Sequence, residues 1–446
     1  MMELFAEKLL SKALAMGCEA AEVCIDERES FRVKILQQEV DEYSVNWKTG
    51  IGLRVLADGK NGYAYSEIAG DAEELIRHAM DNAAAVSTED AQPMQTAQQY
   101  EQIQKPECPL CALSEAEKIE LAKQMEREAK LTDSRVFQVP YCIVTTHRFT
   151  RTIRNTAGLD ARDETQEGVA AVQAAVRDGG EVHDGFAYRE GKQALDVRGC
   201  AQEAVQKAVS RIGARSYPSG KTAVLLENEA ASDLLQAFVS AFCADQAQRS
   251  LSPFTGKTGS MIASEAVTIV DDPFYERHPH RFDGEGTPAK KTVVVDRGRF
   301  RTFLHNLKTA KKEQTETTGN ASRPAAGSPI GVGPTNLYIL PGQADTCELM
   351  EKIGSGILID SVTGLHAGLN PVTGDFSLLA GGYVIEDGKR GRAVEQVTVA
   401  GNLRNLLMQI RMVGNDLKFA MNPVGSPSLW VEELTVAGDN EEEKDL

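Results

Sequence analysis

Residues 3–16 place Leu4, Leu9, Leu10, Ala13 and Leu14 at the three- and four-residue spacing of an amphipathic helix, with Gly17 as its stop. The pattern then turns to alternation. "AAEVCIDE", "SFRVKILQQEVDEYSV" and "GIGLRVLADGKNGYAYSE" predict strands, with turns at "WKTG" and "ADGKNG". Helical spacing returns over 71–87, with Asp71 near the cap, and over 114–131, where Ser114 and Glu117 match a capping box. The intervening stretch 88–113 is rich in Gln, Pro and Thr and reads as a connection. Alternating segments follow over 137–178, with a turn at "NTAG". A helix over 194–214 then ends at the "SYPSG" break. Beyond it, one strand and one helix lead into short strands separated by Gly-rich turns. Residues 309–336 carry no strong period and read as a long loop, mobile or lining a site. The acidic end "GDNEEEKDL" reads as disordered.

These patterns predict an α+β class, because the regular βαβ alternation of a doubly wound sheet is missing. They divide the chain into an N-terminal α+β domain at 1–100, a central α+β domain at 101–217 and a β-rich C-terminal domain at 218–446. No repeat of solenoid type is visible.

Charge narrows the range of partners. Across 446 residues, 48 Lys and Arg face 65 Asp and Glu, a net charge of −17. Such a surface repels phosphate backbones, and the basic runs "KTAKK" and "GKRGR" are short, so nucleic acid is not expected. The N-terminus has acidic residues where a signal peptide needs basic ones, and no apolar run approaches the roughly 18 residues of a membrane span. A cytoplasmic protein with no membrane role is expected. The eight cysteines are too sparse for a disulfide scaffold and are expected as reduced thiols.

Several motifs fail on inspection. "PSGKT" and "FTGKTGS" suggest a phosphate loop, but Arg215 and Leu251 stand where its first glycine belongs. Cys108 and Cys111 have the spacing of a zinc or redox pair. No second pair accompanies them, and they read mainly as incidental thiols. His278 and His280 could chelate from one side of an extended segment, yet no third ligand is apparent.

The stretch "LLENEAASDLLQAF", residues 225–238, carries the most chemistry. Leu226, Ala230, Leu234, Ala237, Phe238 and Ala241 form one stripe; Glu229, Ser232, Asp233, Gln236 and Ser240 form the other. Asn228 is the expected N-cap, with Glu229 near the positive helix end. Glu229 and Asp233, one turn apart, repel by a few tenths of a kcal/mol, roughly, which needs no functional explanation.

A set of blocks then acquires meaning together: "GIGLRV", "GKNGYAYS", "RNTAGL", "ERHPHRFDGEGTP", "TGNASRP", "TNLYILPG", "NPVTGDFSLLAGGYVIEDGK", "TVAGNLRNLL" and "VGNDL". Through them the chain resembles the TldD/PmbA family over nearly its whole length, and most closely its PmbA (TldE) branch. The resemblance implies that TldD-type members are zinc peptidases with an HExxxH helix, completed by a later cysteine. In this sequence Asn228 and Asp233 stand at the histidine positions, only Glu229 is kept, and "KFAMNPVGSPSLW" after "VGNDL" contains no cysteine. A metal-free chain with no catalytic residue and no cofactor of its own is expected, with zinc only in a partner subunit. The resemblance further implies a heterodimer with a TldD-type paralogue, a homodimer in isolation, and extended or unfolded peptides as substrates. The family also carries the label "modulator of DNA gyrase", for which the charge here offers no support.

A β-rich half with Gly-rich edges could accept a peptide as an added strand, which makes Gly319, Asn320, Ala380, Gly381 and Gly382 candidate peptide-binding positions. Two rival readings stand beside this one. One is an independent metal-dependent hydrolase built on His278 and His280. The other is a scaffold or regulator without a role in proteolysis.

Overall fold

The computed structural model describes residues 2–86 and 92–439. The expectation of a disordered acidic tail falls on residues outside that range, apart from 438 and 439, as does part of the 88–113 connection. The class is α+β, with an antiparallel sheet and helices first and a β-rich region after them. The chain forms two compact units. Unit 1 comprises Met1–Ile212, Glu276–Ala289 and Ala321–Gly331; unit 2 comprises the remainder. Residues 1–212 gather with two later pieces into one unit, and residues 213–217 belong to the other.

Unit 1 is built on a six-stranded antiparallel sheet. Its strands are β1 (Ala20–Leu36), β2 (Glu39–Ala57), β3 (Lys60–Ser66), β4 (Val136–Asn155), β5 (Asp160–Asp178) and β6 (Glu181–Glu190), in the order β3-β2-β1-β4-β5-β6. The order is symmetric about the β1–β4 pair. Helices α1 (Met2–Ala15) and α2 (Ala72–Ala85) pack on β1–β3, and α3 (Glu115–Thr132) and α4 (Val197–Val209) pack on β4–β6 and part of β1. Each half is therefore helix, three-strand meander, helix. Asp71 caps α2, and Ser114 with Glu117 forms the expected capping box on α3.

The halves share a packing device. A Cβ on Gly62 of β3 would lie 1.9 Å from the Ala79 carbonyl oxygen of α2, and one on Gly185 of β6 would lie 2.1 Å from that of Ala204 in α4. Glycine lets each helix backbone rest directly on its strand, and alanine at i and i+4 (Ala79 and Ala83, Ala204 and Ala208) keeps the helix side equally thin.

Three expectations change here. "WKTG" lies inside β2, not at a turn, and Trp47 is 75% exposed. The reversal is at Gln37 and Gln38, both at positive φ (55° and 66°), where the buried Glu126 carboxylate accepts their N–H groups at 2.8 and 2.7 Å. The buried stripe of α1 is Phe5, Ala6, Leu9 and Ala13, so Leu4 and Leu14 face water.

Unit 2 contains a mixed sheet of β7 (Gly220–Leu226), β8 (Gly356–Thr363), β9 (Asp375–Glu386), β10 (Lys389–Asn402), β11 (Ile410–Val413) and β12 (Leu429–Ala437). The order is β10-β9-β8-β7-β12-β11, with β7 and β8 parallel. β12 also pairs with β10 through Thr398↔Ala437 to Ala400↔Thr435, which closes five strands into a ring. A second six-stranded sheet of short strands runs in the order 299–300, 292–296, 269–271, 337–339, 424–426, 418–419. Their apolar residues share one core, which includes Phe238, Phe242, Phe254 and Phe300. The segment 309–336 is less irregular than its composition suggests: Leu307–Glu313 is helical and capped by Asn306, and Thr318, Asn320 and Asn336 are buried. Among the described residues, no helix is long and apolar enough to cross a membrane.

Candidate functional site

Helix α5 (Asn228–Ala237) follows β7 directly, so its first turn starts at the end of a ring strand. The N-cap is Glu227, without a side-chain cap bond, so Asn228 is the first helical residue rather than the cap. Its side-chain amide donates outward, to the Asp416 carbonyl oxygen at 2.9 Å and to the Asp416 carboxylate at 3.1 Å. One carboxylate thus anchors the helix start. Asp416 also accepts from the Ser428 N–H at 2.9 Å and the Ser428 hydroxyl at 2.7 Å.

The chain from 416 to 424 contacts α5 at five residues. Asp416 takes Asn228. Lys418 Nζ donates to Glu229 Oε1. The Ala420 N–H donates to the Ser232 hydroxyl at 3.2 Å, Asn422 Nδ2 donates to Asp233 at 3.3 Å, and the Val424 carbonyl accepts from Ser232 at 2.8 Å. These contacts come from a hairpin, in which Lys418 and Phe419 pair antiparallel with Ser426 and Gly425 and Met421 turns the chain at positive φ (55°). Ser232, expected on the solvent stripe, is fully buried because both of its hydrogen bonds lie inside this contact. Glu229, Asp233 and Lys418 remain part-exposed.

The electrostatics of the helix face are set by these contacts. Burial, followed by the Glu229 charge one turn away, pushes the Asp233 carboxyl up to about 6. Glu229 itself holds the Lys418 ammonium. The donor set does not fit a zinc ion. It offers no imidazole and no thiolate, an amide oxygen at Asn228 is a poor ligand for zinc, and any cation at Glu229 would meet the positive charge of Lys418 at close range. Lys418 and Asn422 were not singled out from the sequence. The visible signal was the "VGNDL" block, whose aspartate is the anchor and which leads into the segment that faces the helix.

The remaining candidates lie elsewhere. Asn320 is buried, and its amide donates to Asp271 at 2.6 Å and to the Gly333 carbonyl at 3.2 Å, so it fastens its own loop. Gly319 beside it has φ +73°, a conformation that favours glycine. Ala380, Gly381 and Gly382 lie in the middle of β9 between β8 and β10; all three pair with β8, and Ala380 and Gly382 pair with β10 across an irregularity at Gly381. Both hydrogen-bonding edges there are occupied, so strand addition at this place is closed. A Cβ on Gly382 would sit 1.8 Å from the Leu358 carbonyl oxygen, so that glycine serves strand packing.

In unit 1, Cys108 and Cys111 are joined as a disulfide, not incidental thiols. The two histidines do not converge. His278 Nδ1 lies 3.4 Å from Glu167, and His280 Nδ1 turns to the His278 carbonyl at 3.0 Å. Burial and the neighbouring Arg277 push the His278 pKa down.

Residues 219–438, 108–212 and 21–83 match, respectively, the PmbA/TldA metallopeptidase C-terminal domain, central domain and domain 1. The chain belongs to the PmbA/TldD family. Among solved structures of this fold it is similar to a Thermotoga maritima protein described as a modulator of a DNA gyrase. The TM-score is 0.91 and the identity 32%, covering 98% of this chain and 100% of that one. TldE from Thermococcus kodakarensis matches with a TM-score of 0.89 at 24% identity, covering 97% and 100%, a likeness of fold alone. The metalloprotease PmbA of Escherichia coli O157:H7 is 24% identical, covering 97% of this chain and 96% of that protein. Helix α5 and the segment 416–424 both lie within the part that matches the PmbA/TldA C-terminal domain.

Proposed function

We propose that this PmbA/TldD-family chain is the metal-free, non-catalytic subunit of a TldD/TldE-type peptidase, and that a TldD-type paralogue supplies the zinc. The observation that carries this reading is the Lys418–Glu229 pair: the carboxylate that would serve as general base for a metal-bound water is held by a fixed cation instead. The metalloprotease names of its relatives support the peptidase setting. In this role the chain forms part of the wall of a cytoplasmic cleavage chamber and steadies an extended peptide. Contact would be made at the part-exposed polar face of α5, around Glu229, Asp233 and Asn422. The chain would form a homodimer when its partner is absent.

Purified alone, the protein is expected to contain no stoichiometric zinc and to cleave no unfolded protein. Co-expressed with a paralogue bearing HExxxH, it should yield a complex whose peptide cleavage is abolished by a chelator. One tightly held zinc per chain in the isolated protein, or chelator-sensitive cleavage without the paralogue, would overturn the assignment.

A further inference from the structure

The Cys108–Cys111 pair belongs to unit 1 and is not used by the proposed function. Five of the other cysteines, Cys18, Cys24, Cys142, Cys200 and Cys243, are buried, and burial pushes each of their thiols up. Cys108 and Cys111 are half-exposed; Cys108 is the N-cap of the one-turn helix Pro109–Ala112 and Cys111 lies within it. A bridge across three residues closes so short a loop that it removes little chain entropy from the unfolded state, so stability is a weak reason for it.

The surroundings suit exchange chemistry. Cys108, but not Cys111, lines a cavity of about 640 Å³ within unit 1, a size that admits a small molecule. Lys105, Arg162, Arg277 and Arg281 line it too, together with His278; Glu107, Asp163 and Glu164 supply the opposing charges. Arg281 and Lys105 are both engaged by Asp163, and Arg277 by Glu190. Arg162 is more open: 59% of its side chain is exposed, and its carboxylate contact, to Glu3, is at 3.9 Å.

Behind the pair is β5. A Cβ on Gly168 would lie 2.9 Å from Cys108 Sγ, so the strand leaves that sulfur no room to retreat from an incoming group. Cys111 Sγ lies 3.3 Å from the Glu167 carbonyl oxygen. A disulfide sulfur has no proton to donate there; a thiol has. Opening the bridge therefore gives Cys111 a waiting acceptor, on the same residue whose carboxylate holds His278.

We propose that Cys108–Cys111 is a reversible thiol–disulfide exchange site for a low-molecular-weight thiol bearing carboxylates, with Cys108 as the sulfur that is attacked. One reagent thiolate attacks Cys108 Sγ; the S–S bond breaks and Cys111 leaves as thiolate and takes up a proton. A second reagent thiolate attacks the mixed disulfide at its own sulfur. Cys108 is released and protonated, and the reagent departs as its disulfide. The protein gains two electrons and two protons, and two reagent thiols are oxidised to one disulfide; the reverse direction closes the bridge.

The test is a titration of the full chain in buffers of reduced and oxidised glutathione, followed by acid quench, alkylation and peptide mass spectrometry. The Cys108–Cys111 bridge should open and re-form with the ratio, while the five buried cysteines stay reduced. Cys111→Ser should trap one glutathione on Cys108, and Cys108→Ser should trap at least tenfold less on Cys111. Arg162→Gln should slow opening by glutathione roughly threefold and leave opening by neutral mercaptoethanol unchanged, because only the anionic reagent feels the lost charge. Two thiols at every ratio would mean incidental cysteines, and a bridge that persists in excess reduced glutathione would mean a structural one. Equal trapping on Cys111, or equal slowing with both reagents, would also overturn the assignment. The titration of the unaltered protein stands whether or not a variant folds.

Discussion

Asp233 shows how far a single position can be read in advance. Its repulsion with Glu229 was legible from the i, i+4 spacing, but the larger cause of its raised pKa is burial, which depends on the segment 416–424 lying across it. A carboxyl raised above its unfolded value binds its proton more tightly in the folded state. Stability therefore falls as pH rises from 3.8 to about 6 and stays lower above that. Asp233→Asn keeps an acceptor for Asn422 and removes the charge. It should stabilise the protein at pH 8 by about 0.5–1 kcal/mol, a figure discounted for partial exposure, and give no gain near pH 4 in urea denaturation. Ser232 was misplaced for a related reason: a serine on a helix reads as solvent-facing until a partner backbone is known to satisfy its hydroxyl.

Strands and their turns were the next level at which local pattern and tertiary context parted. The β1–β2 reversal has no Gly, Asn, Asp or Pro at its centre, so turn chemistry favoured "WKTG" instead. What holds Gln37 and Gln38 at positive φ is Glu126, 88 positions from Gln38, with Lys130 beside it at 3.0 Å. Burial alone would raise the Glu126 pKa; Lys130 and the Gln37 and Gln38 donors outweigh it and hold the carboxyl below its ordinary value. Glu126→Gln turns an amide donor toward those N–H groups and should cost about 1.5–3 kcal/mol at pH 7. Because the folded pKa is depressed, the gap between variant and parent should shrink as pH falls below 4.5, which thermal melts across pH would show. The doubled helix–meander–helix pattern had left a trace, "GYAY" at 62–65 and "GFAY" at 185–188, the two places where a helix rests on a glycine. A four-residue echo in a chain this long carries little weight until the sheet order shows its symmetry.

Unit 1 as a whole depends on pairings across hundreds of residues. Glu22, buried on β1, accepts from Arg54 at 2.9 Å and also from Arg323, 301 positions later. Gly52 is bare because the Ala326 carbonyl would lie 1.8 Å from a Cβ there. Arg323→Ala should therefore destabilise by about 3–5 kcal/mol, since it leaves a buried charge with half its partners. Limited proteolysis should then cut within 321–331 well before the parent protein is cut. The α+β class could be read directly from local pattern, and the amide at Asn228 in place of an imidazole from the resemblance to TldD-type members. The interleaving of segments could not. It also carries a cost during biosynthesis. A ribosome finishes Ile212 while Arg323 and Ala326 are still untranslated, and at roughly 5–20 residues per second the missing pieces arrive about 6–24 s later. For that interval the nascent half-molecule holds an ionised glutamate without its second guanidinium and a groove without its filling, a window in which a holdase would find its client.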